Sequence, residues 1–117
     1  MNSINNSKTE TNLETIQQLV DDWIQDNGGY WEPLAQLASV TEEVGELARE
    51  INHLEKIKIK KNSEPKRKIS DELGDIVFSI ICIANYYKIN LAEATVSSIE
   101  KYSMRDSERY SKKNGGT

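Results

Sequence analysis

A seven-residue pattern occurs twice in this chain, as Thr41-Glu42-Glu43-Val44-Gly45-Glu46-Leu47 and as Ser70-Asp71-Glu72-Leu73-Gly74-Asp75-Ile76. Both copies follow the order hydroxyl, acid, Glu, aliphatic, Gly, acid, aliphatic. Because each residue of an α-helix turns by about 100°, the acids of one copy project from one side of a helix, within roughly 100° of one another. Apolar residues continue after each copy. The pattern therefore predicts two amphipathic helices that carry acids at the border of the core.

The acids of the two copies form a candidate metal site. They are Glu42, Glu43 and Glu46 in the first copy, and Asp71, Glu72 and Asp75 in the second. Clustered acids repel one another unless a positive charge lies between them. Carboxylates without His or Cys suit Mg²⁺, Mn²⁺ or Ca²⁺ rather than zinc or copper. The alternative is a chance repeat on two solvated faces, and the matched copies favour the metal site.

A glycine occupies the same slot in both copies, at Gly45 and Gly74. Glycine inside a helix costs about 1 kcal/mol relative to alanine. Its presence twice beside acids predicts that another helix or a ligand approaches closely at these positions.

Length and composition indicate one small domain. The chain has 117 residues, 37% of them hydrophobic and 29% charged, with two prolines and a net charge of −4. The acidic balance argues against general nucleic-acid binding. The longest apolar run, residues 76–84, is too short to span a bilayer, and the polar N-terminus does not have the pattern of a secretory signal. The lone cysteine, Cys82, is compatible with a reducing cytoplasm, where we expect the protein to reside.

Apolar periodicity and turn signals predict an all-α, four-helix bundle-like domain over residues 10–110. The first helix begins near Leu13 and stops at residues 27–29, Asn-Gly-Gly. The other three are expected at about Leu34 to the mid-fifties, about Lys68 to Tyr87, and about Leu91 towards Tyr110. Residues 1–9 and 111–117 are expected to be disordered, because they carry too little apolar surface to offset the entropy lost on ordering.

The apolar faces of the middle helices predict assembly. The second helix carries Leu34, Leu37, Ala38, Val44, Leu47, Ala48, Ile51 and Leu54. The third is apolar on nearly every side beyond its acids, and such a helix should be buried on every side. Four short helices in a monomer rarely cover one member completely. We therefore expect a homo-oligomer, either a homodimer or a homotetramer.

Basic residues concentrate between Lys56 and Lys68, around a turn at residues 62–65. This segment is either a solvated loop or a source of lysines that approach the phosphates of a ligand. The single histidine, His53, follows Glu50 by three positions, which is half of a di-iron Glu-x-x-His motif with no second copy. We interpret His53 as a surface residue.

At its acidic copies the chain resembles the MazG-like all-α nucleoside triphosphate pyrophosphohydrolases. Their signature, Glu-Glu-x-x-Glu on one helix and Glu-x-x-Asp on the next, occurs here at residues 42–46 and 72–75. The likeness also includes residues 30–34, 82–85 and 101–109. It spans roughly residues 13–110 and is greatest to the short single-domain members.

The resemblance implies Mg²⁺-dependent cleavage of a nucleoside triphosphate between its α- and β-phosphates, with Mn²⁺ as an alternative ion. It implies that the metal ligands are Glu43, Glu46, Glu72 and Asp75. Glu42 would hold a further ion or orient the attacking water. Further substrate contacts are implied at Asn85, Lys101, Arg105, Arg109 and Trp31. Asn85 is equally compatible with a polar residue ending the core face of its helix. The aromatic residues Trp23, Tyr30 and Trp31 could stack on a base, but aromatic residues of a small bundle lie more often in its core, which we favour.

Two other functions remain open from the sequence. One is a non-catalytic helical module that binds Mg²⁺ or Ca²⁺ for structural reasons and assembles through the third helix. The other is a related enzyme of amino-acid biosynthesis that acts on a phosphoribosylated nucleotide. The resemblance to the short members favours a hydrolase that removes unwanted nucleotides or controls the nucleotide pool.

Overall fold

The computed structural model describes residues 11–57 and 64–113, and the side chains of residues 11–56 and 68–107. This part of the chain forms four helices and no strand. They are α1 (Leu13–Asp26), α2 (Pro33–Ile57), α3 (Glu64–Tyr86) and α4 (Leu91–Lys113). The all-α prediction is therefore confirmed, with one helix for each predicted one.

Two boundaries differ from the predicted ones. Helix α3 begins at Glu64, before the predicted start near Lys68. Pro65 is compatible with this earlier start, because it lies in the first turn, where a missing N–H costs no helical hydrogen bond. Helix α4 continues to Lys113 and so includes the first residues of the predicted tail. The predicted N-terminal segment 1–9 and most side chains of the basic segment lie outside the described residues.

Local signals explain both ends of α1. The Asn12 side chain accepts a hydrogen bond from the Thr15 backbone N–H at 2.8 Å, which caps the helix. At the other end, Gly28 and Gly29 have φ values of 105° and 89°, in the region that favours glycine. The Gly29 N–H donates to the Ile24 carbonyl at 2.8 Å and closes the last turn. The chain can therefore turn sharply into the segment before α2.

The core lies between α1 and α3. Val20 of α1 packs with Ile81 and Cys82 of α3, and Ile81 is only 1% exposed. Partly buried residues complete this cluster: Leu13, Ile16, Ile24, Tyr30 and Leu91. Burial also raises the pKa of the Cys82 thiol, which disfavours the reactive thiolate. Cys82 therefore packs as a small hydrophobic residue.

Helices α2 and α3 form the most extensive helix pair, and they run antiparallel across a short connection. The face of α2 that packs on α3 is not the apolar face that the sequence predicted. Its buried and half-buried positions include Gln36, Val40, Glu43, Leu47 and Leu54. Most of the predicted apolar positions face away instead. We call the exposed apolar residues the outer stripes, which are Leu34, Leu37, Val44 and Ile51 on α2 and Leu73, Val77 and Ile80 on α3.

Within the described residues, no single helix is both long and apolar enough to cross a membrane. The described residues contain one bent pair of helices, Lys68–Tyr86 and Leu91–Ser107, which meet at 106°. Taken together, these two helices have the length and composition of a membrane span.

Candidate metal centre and adjoining aromatic cavity

Three glutamates, two from α2 and one from α3, meet at one point of the antiparallel pair. Glu43 and Glu46 lie one turn apart on α2, and Glu72 faces them from α3. One carboxylate oxygen from each lies within 4.8 Å of the others. The two copies of the acidic pattern are therefore brought together, and we call these three residues the glutamate cluster.

The electrostatics of the glutamate cluster are unfavourable without a cation. The pKa of Glu72 is raised to about 7, first by burial and then by the neighbouring carboxylates of Glu43 and Glu46. Glu72 Oε1 is itself buried and has no hydrogen-bond partner within the described chain. An orphaned carboxylate oxygen among further carboxylates is the environment that a hard divalent cation satisfies. The cluster consists only of oxygen donors, so its chemistry fits Mg²⁺ or Mn²⁺.

Two other predicted acids lie beside the glutamate cluster. Asp75 is one turn beyond Glu72 on α3, exposed, and lines a cavity together with Glu43. Glu42 precedes Glu43 on α2 and is exposed. Neither belongs to the group whose oxygens lie within 4.8 Å of one another.

A cavity of about 450 Å³ adjoins the glutamate cluster and has Glu43 and Asp75 in its wall. The other lining residues are Trp23, Ile24, Asn27, Tyr30, Trp31, Gln36, Ser39, Phe78, Ser79 and Cys82. This volume lies within the usual range for small-molecule sites of about 300 to 1,000 Å³. The cavity combines aromatic walls with an acidic end, and we call it the aromatic cavity.

The aromatic side chains around this cavity are not the core that the sequence favoured. Trp31 is 67% exposed and Trp23 is 46% exposed. Trp23 packs edge-on against Phe78, with ring centroids 5.9 Å apart. Tyr30 is half-buried and donates a hydrogen bond to Asp21 at 2.5 Å. Only Tyr30 therefore packs against the core, and the two indoles form the outer rim of the cavity.

Comparison with known proteins places this arrangement in a family. The sequence model of the MazG nucleotide pyrophosphohydrolase domain matches residues 32–110, which include both acidic copies. The chain belongs to the MazG family. It is 40% identical to the Bacillus subtilis protein YpjD over 109 residues, which cover 92% of this chain and 98% of YpjD.

Two solved MazG-type structures resemble this fold. The crystal structure of YpjD from Bacillus subtilis matches with a TM-score of 0.71 and 40% identity, over 80% of this chain and 97% of that one. The Bacillus-conserved MazG protein, a nucleotide pyrophosphohydrolase, matches with a TM-score of 0.67 and 39% identity, over 80% and 92% of the two chains. The resemblance that the acidic motifs predicted is thus confirmed for the fold and for the family.

Asn85, a predicted substrate contact of this MazG chain, is engaged with α1. Its Nδ2 donates to the Gln17 carbonyl at 3.0 Å, and its Oδ1 accepts from Gln17 Nε2 at 2.8 Å. Gln17 Oε1 in turn accepts from the Leu91 N–H at 2.8 Å. Asn85 lines a separate polar cavity and not the aromatic one. Its observed role is to join α1 to α3 and to the start of α4, which agrees with the structural alternative.

The predicted phosphate-binding cations lie on α4, away from the glutamate cluster. Lys101 and Arg105 are exposed, and the Arg105 guanidinium stacks over the Tyr102 ring at 4.8 Å. Helix α4 packs mainly on α1, and neither cation lines the aromatic cavity. The side chain of Arg109 lies outside the described residues. One chain therefore does not bring Lys101 or Arg105 to the acids.

Sequence reasoning missed two buried glutamines. Gln17 shares the apolar stripe of α1 with Leu13, Val20 and Ile24, and this position on an apolar face was a visible signal of burial. Gln36 is buried on the inner face of α2, one position from the exposed Leu37. Apolar periodicity offered no signal for Gln36, because the inner face of α2 mixes Gln36 and Glu43 with the apolar residues Val40, Leu47 and Leu54. His53, by contrast, is exposed, as predicted.

The close approach predicted at the two pattern glycines is not found within the described chain. Apart from the neighbouring residues and the nearby backbone of its own helix, a Cβ placed on Gly45 or on Gly74 would meet no atom of the described chain within 4 Å. Neither glycine is therefore required by packing inside one copy.

Proposed function

We propose that this MazG protein hydrolyses nucleoside triphosphates to the monophosphate and pyrophosphate in a Mg²⁺-dependent reaction. One observation carries the proposal. The glutamate cluster, with its orphaned Glu72 oxygen, lies against an aromatic cavity whose wall includes Glu43. A cation site beside an aromatic cavity offers a nucleotide one place for its phosphates and another for its base. The related Bacillus-conserved MazG protein is a nucleotide pyrophosphohydrolase, which supports the same reaction class here.

The acidic residues have separate roles in this proposal. Glu43, Glu46 and Glu72 hold Mg²⁺, or Mn²⁺, and Asp75 completes the ligand set from the next turn of α3. Bound there, the ion would polarise the phosphate oxygens and lower the pKa of a coordinated water. Glu42, exposed beside the cluster, orients the attacking water or holds a further ion. One water is consumed, the anhydride between the α- and β-phosphates breaks, and pyrophosphate leaves.

The substrate contacts follow the same arrangement. The base lies in the aromatic cavity, where the exposed Trp31 ring can stack on it. Lys101, Arg105 and Arg109 contact phosphate from α4 of a second copy, because α4 of the same chain packs on α1. A house-cleaning or pool-controlling role in the cytoplasm follows from a substrate of this kind.

The reaction is tested by measuring pyrophosphate release from a panel of ribo-, deoxyribo- and modified nucleoside triphosphates, with Mg²⁺ and with chelator. We expect Mg²⁺-dependent pyrophosphate together with an equal amount of monophosphate. Release of orthophosphate instead would place the cleavage at the wrong anhydride. If the protein is folded and binds Mg²⁺ but releases no pyrophosphate from any nucleotide of the panel, the non-catalytic metal-binding module is favoured.

We also infer that the protein is a homo-oligomer, a homodimer or a homotetramer. The outer stripes of α2 and α3 follow three-, four- and seven-residue steps, as in helices that pack lengthwise against other helices. A second copy carries the same two stripes, so a two-fold axis can pair them. Pairing would bury apolar side chains that a single chain leaves in water.

Light scattering at micromolar concentration tests this inference. We expect a particle of at least twice the 13.3 kDa chain mass. Val77→Asp, which places a charge on the outer stripe of α3, should lower the mass toward that of one chain. Ser97→Asp, at an exposed position of α4, should leave the mass unchanged. A 13 kDa wild-type particle would contradict the assembly.

A further inference from the structure

Gln36 presents an unsatisfied acceptor in the wall of the aromatic cavity. Its side chain is only 5% exposed, although it is polar and lines this cavity. Its Nε2 donates to the Trp31 carbonyl at 3.0 Å. Its Oε1 is buried and has no hydrogen-bond partner within the described chain. Buried polar atoms of this kind are rare in native proteins, and each calls for a physical explanation.

The Trp31 carbonyl determines which end of the Gln36 amide stays free. A flipped amide would place Oε1 against the Trp31 oxygen, so that two acceptors would face each other. The amide nitrogen is therefore held towards Trp31, and the oxygen remains as an acceptor without a donor. The group that satisfies it must donate an N–H or O–H.

The position of Gln36 relative to the glutamate cluster fits the two ends of a nucleotide. Gln36 and Glu43 lie seven residues apart on the same inner face of α2, about 10 Å along the helix axis. Both line the aromatic cavity. A nucleotide with its phosphates at the glutamate cluster extends its base along this cavity towards Gln36.

We propose that Gln36 is a specificity-determining residue, which selects nucleotides whose base presents an amino group at C4 of a pyrimidine or C6 of a purine to its unpaired Oε1. This inference rests on the proposed hydrolysis of nucleoside triphosphates. The amino groups of cytosine and adenine are hydrogen-bond donors. Uracil and hypoxanthine carry a carbonyl oxygen at the corresponding position, and two acceptors would then meet. The expected substrates are therefore cytosine or adenine nucleotides rather than their keto counterparts.

The base must move a side chain to reach the acceptor, because Gln36 Oε1 is closed to water in the free chain. Trp31 is the most exposed of the large apolar residues around the cavity, at 67% compared with 46% for Trp23 and 38% for Phe78. Its ring is therefore the least held by packing among these three, and we expect it to be the side chain that shifts as the base enters. Binding should change the fluorescence of the two indoles that line the cavity.

The test compares kcat/KM within two substrate pairs, CTP with UTP and ATP with ITP. The members of each pair differ in the amino or carbonyl group at one position of the base and in the proton on the adjacent ring nitrogen. We expect the wild-type protein to favour the amino member of at least one pair by about tenfold or more, since a polar site rejects an analogue that leaves its group unpaired. Gln36→Leu should reduce that ratio to about one. Ser39→Ala, a neighbouring cavity residue, should leave the ratio unchanged.

The ratio is informative even if Gln36→Leu folds poorly, because misfolding lowers the activity on both members of a pair equally. Equal wild-type kcat/KM values within both pairs would overturn the proposal while the hydrolase assignment stands. Loss of the ratio in Ser39→Ala would also overturn the proposal, because the Ser39 hydroxyl would then be the group that distinguishes the two bases.

A binding measurement separates this proposal from the hydrolase assignment. CMP is compared with UMP, and AMP with IMP, by titration against the tryptophan fluorescence of the wild-type protein, with Mg²⁺ present. Tighter binding of the amino member of at least one pair, in the absence of any hydrolysis, would refute the proposed function and keep the role of Gln36. Equal affinities within both pairs, or no fluorescence change with any of the four nucleotides, would overturn that role.

Discussion

Replacing Glu72 with glutamine should reduce pyrophosphate release by at least about a hundredfold, the size of loss seen when a group that stabilises transition-state charge is removed. Glutamine keeps the shape of the side chain but cannot supply the negative charge that the cation needs. Glu43→Gln should act in the same way, because it removes a second member of the glutamate cluster. Both proteins should remain helical by circular dichroism. Near-normal turnover in both variants would refute the assignment of the glutamate cluster as the catalytic metal site.

The same substitution should stabilise the protein when no metal is bound. The folded-state pKa of Glu72, about 7, is raised above the usual glutamate value of about 4.3, so the folded chain holds a proton that the unfolded chain releases. Such a group makes stability fall as pH rises from about 4 to about 7, and the loss is complete above that range. In chelator, Glu72→Gln should therefore raise the melting temperature at pH 8 and change it little at pH 4.

Two controls make this result specific to the glutamate cluster. Glu100→Gln, at an exposed position of α4, should keep activity and the wild-type pH dependence of the melting temperature. Adding Mg²⁺ should raise the melting temperature of the wild-type protein more than that of Glu72→Gln, because a ligand stabilises the state that binds it. If Glu72→Gln melts at a lower temperature than the wild type in chelator at pH 8, the repulsion between Glu72 and the other two glutamates of the cluster is contradicted.

The largest loss of stability is expected at Ile81, which packs with Val20 and Cys82 and is 1% exposed. Ile81→Ala should cost about 2 to 5 kcal/mol, because it removes buried methylene groups and leaves a cavity. That is a large part of the roughly 5 to 15 kcal/mol that stabilises a typical domain. Chemical denaturation followed by circular dichroism gives the free energy of unfolding.

Ile80 is the matched control, since it precedes Ile81 on α3 but is 39% exposed on an outer stripe. Ile80→Ala should cost less than Ile81→Ala, and its effect should appear as a weaker assembly in light scattering. The midpoint of unfolding of the wild type should rise with protein concentration, and that of Ile80→Ala should rise less, because fewer of its chains are assembled. Equal costs at both positions, independent of concentration, would mean that the core is wrongly placed between α1 and α3.

The sequence alone determined the helices of this protein and the identity of the acids. Helix α1 begins and ends on local signals, which are the Asn12 cap and the two glycines that follow the helix. The paired acidic pattern also predicted that acids of the two copies lie together, and Glu43, Glu46 and Glu72 do so. These features are readable because capping, turn geometry and the three- and four-residue spacing of a helix act over a few neighbouring residues.

Only the tertiary structure decided how each helix is rotated about its own axis. Helix α2 turns Gln36 and Glu43 inward and leaves Leu34 and Leu37 exposed, although its apolar pattern predicted that these two leucines face the core. Asn85 is engaged by Gln17, a residue 68 positions away, and so lies outside the aromatic cavity. The rotation of a helix depends on all the surfaces it meets, and these belong to segments distant in the chain. Local periodicity cannot encode that choice, because it records which residues are apolar and not which face has a partner.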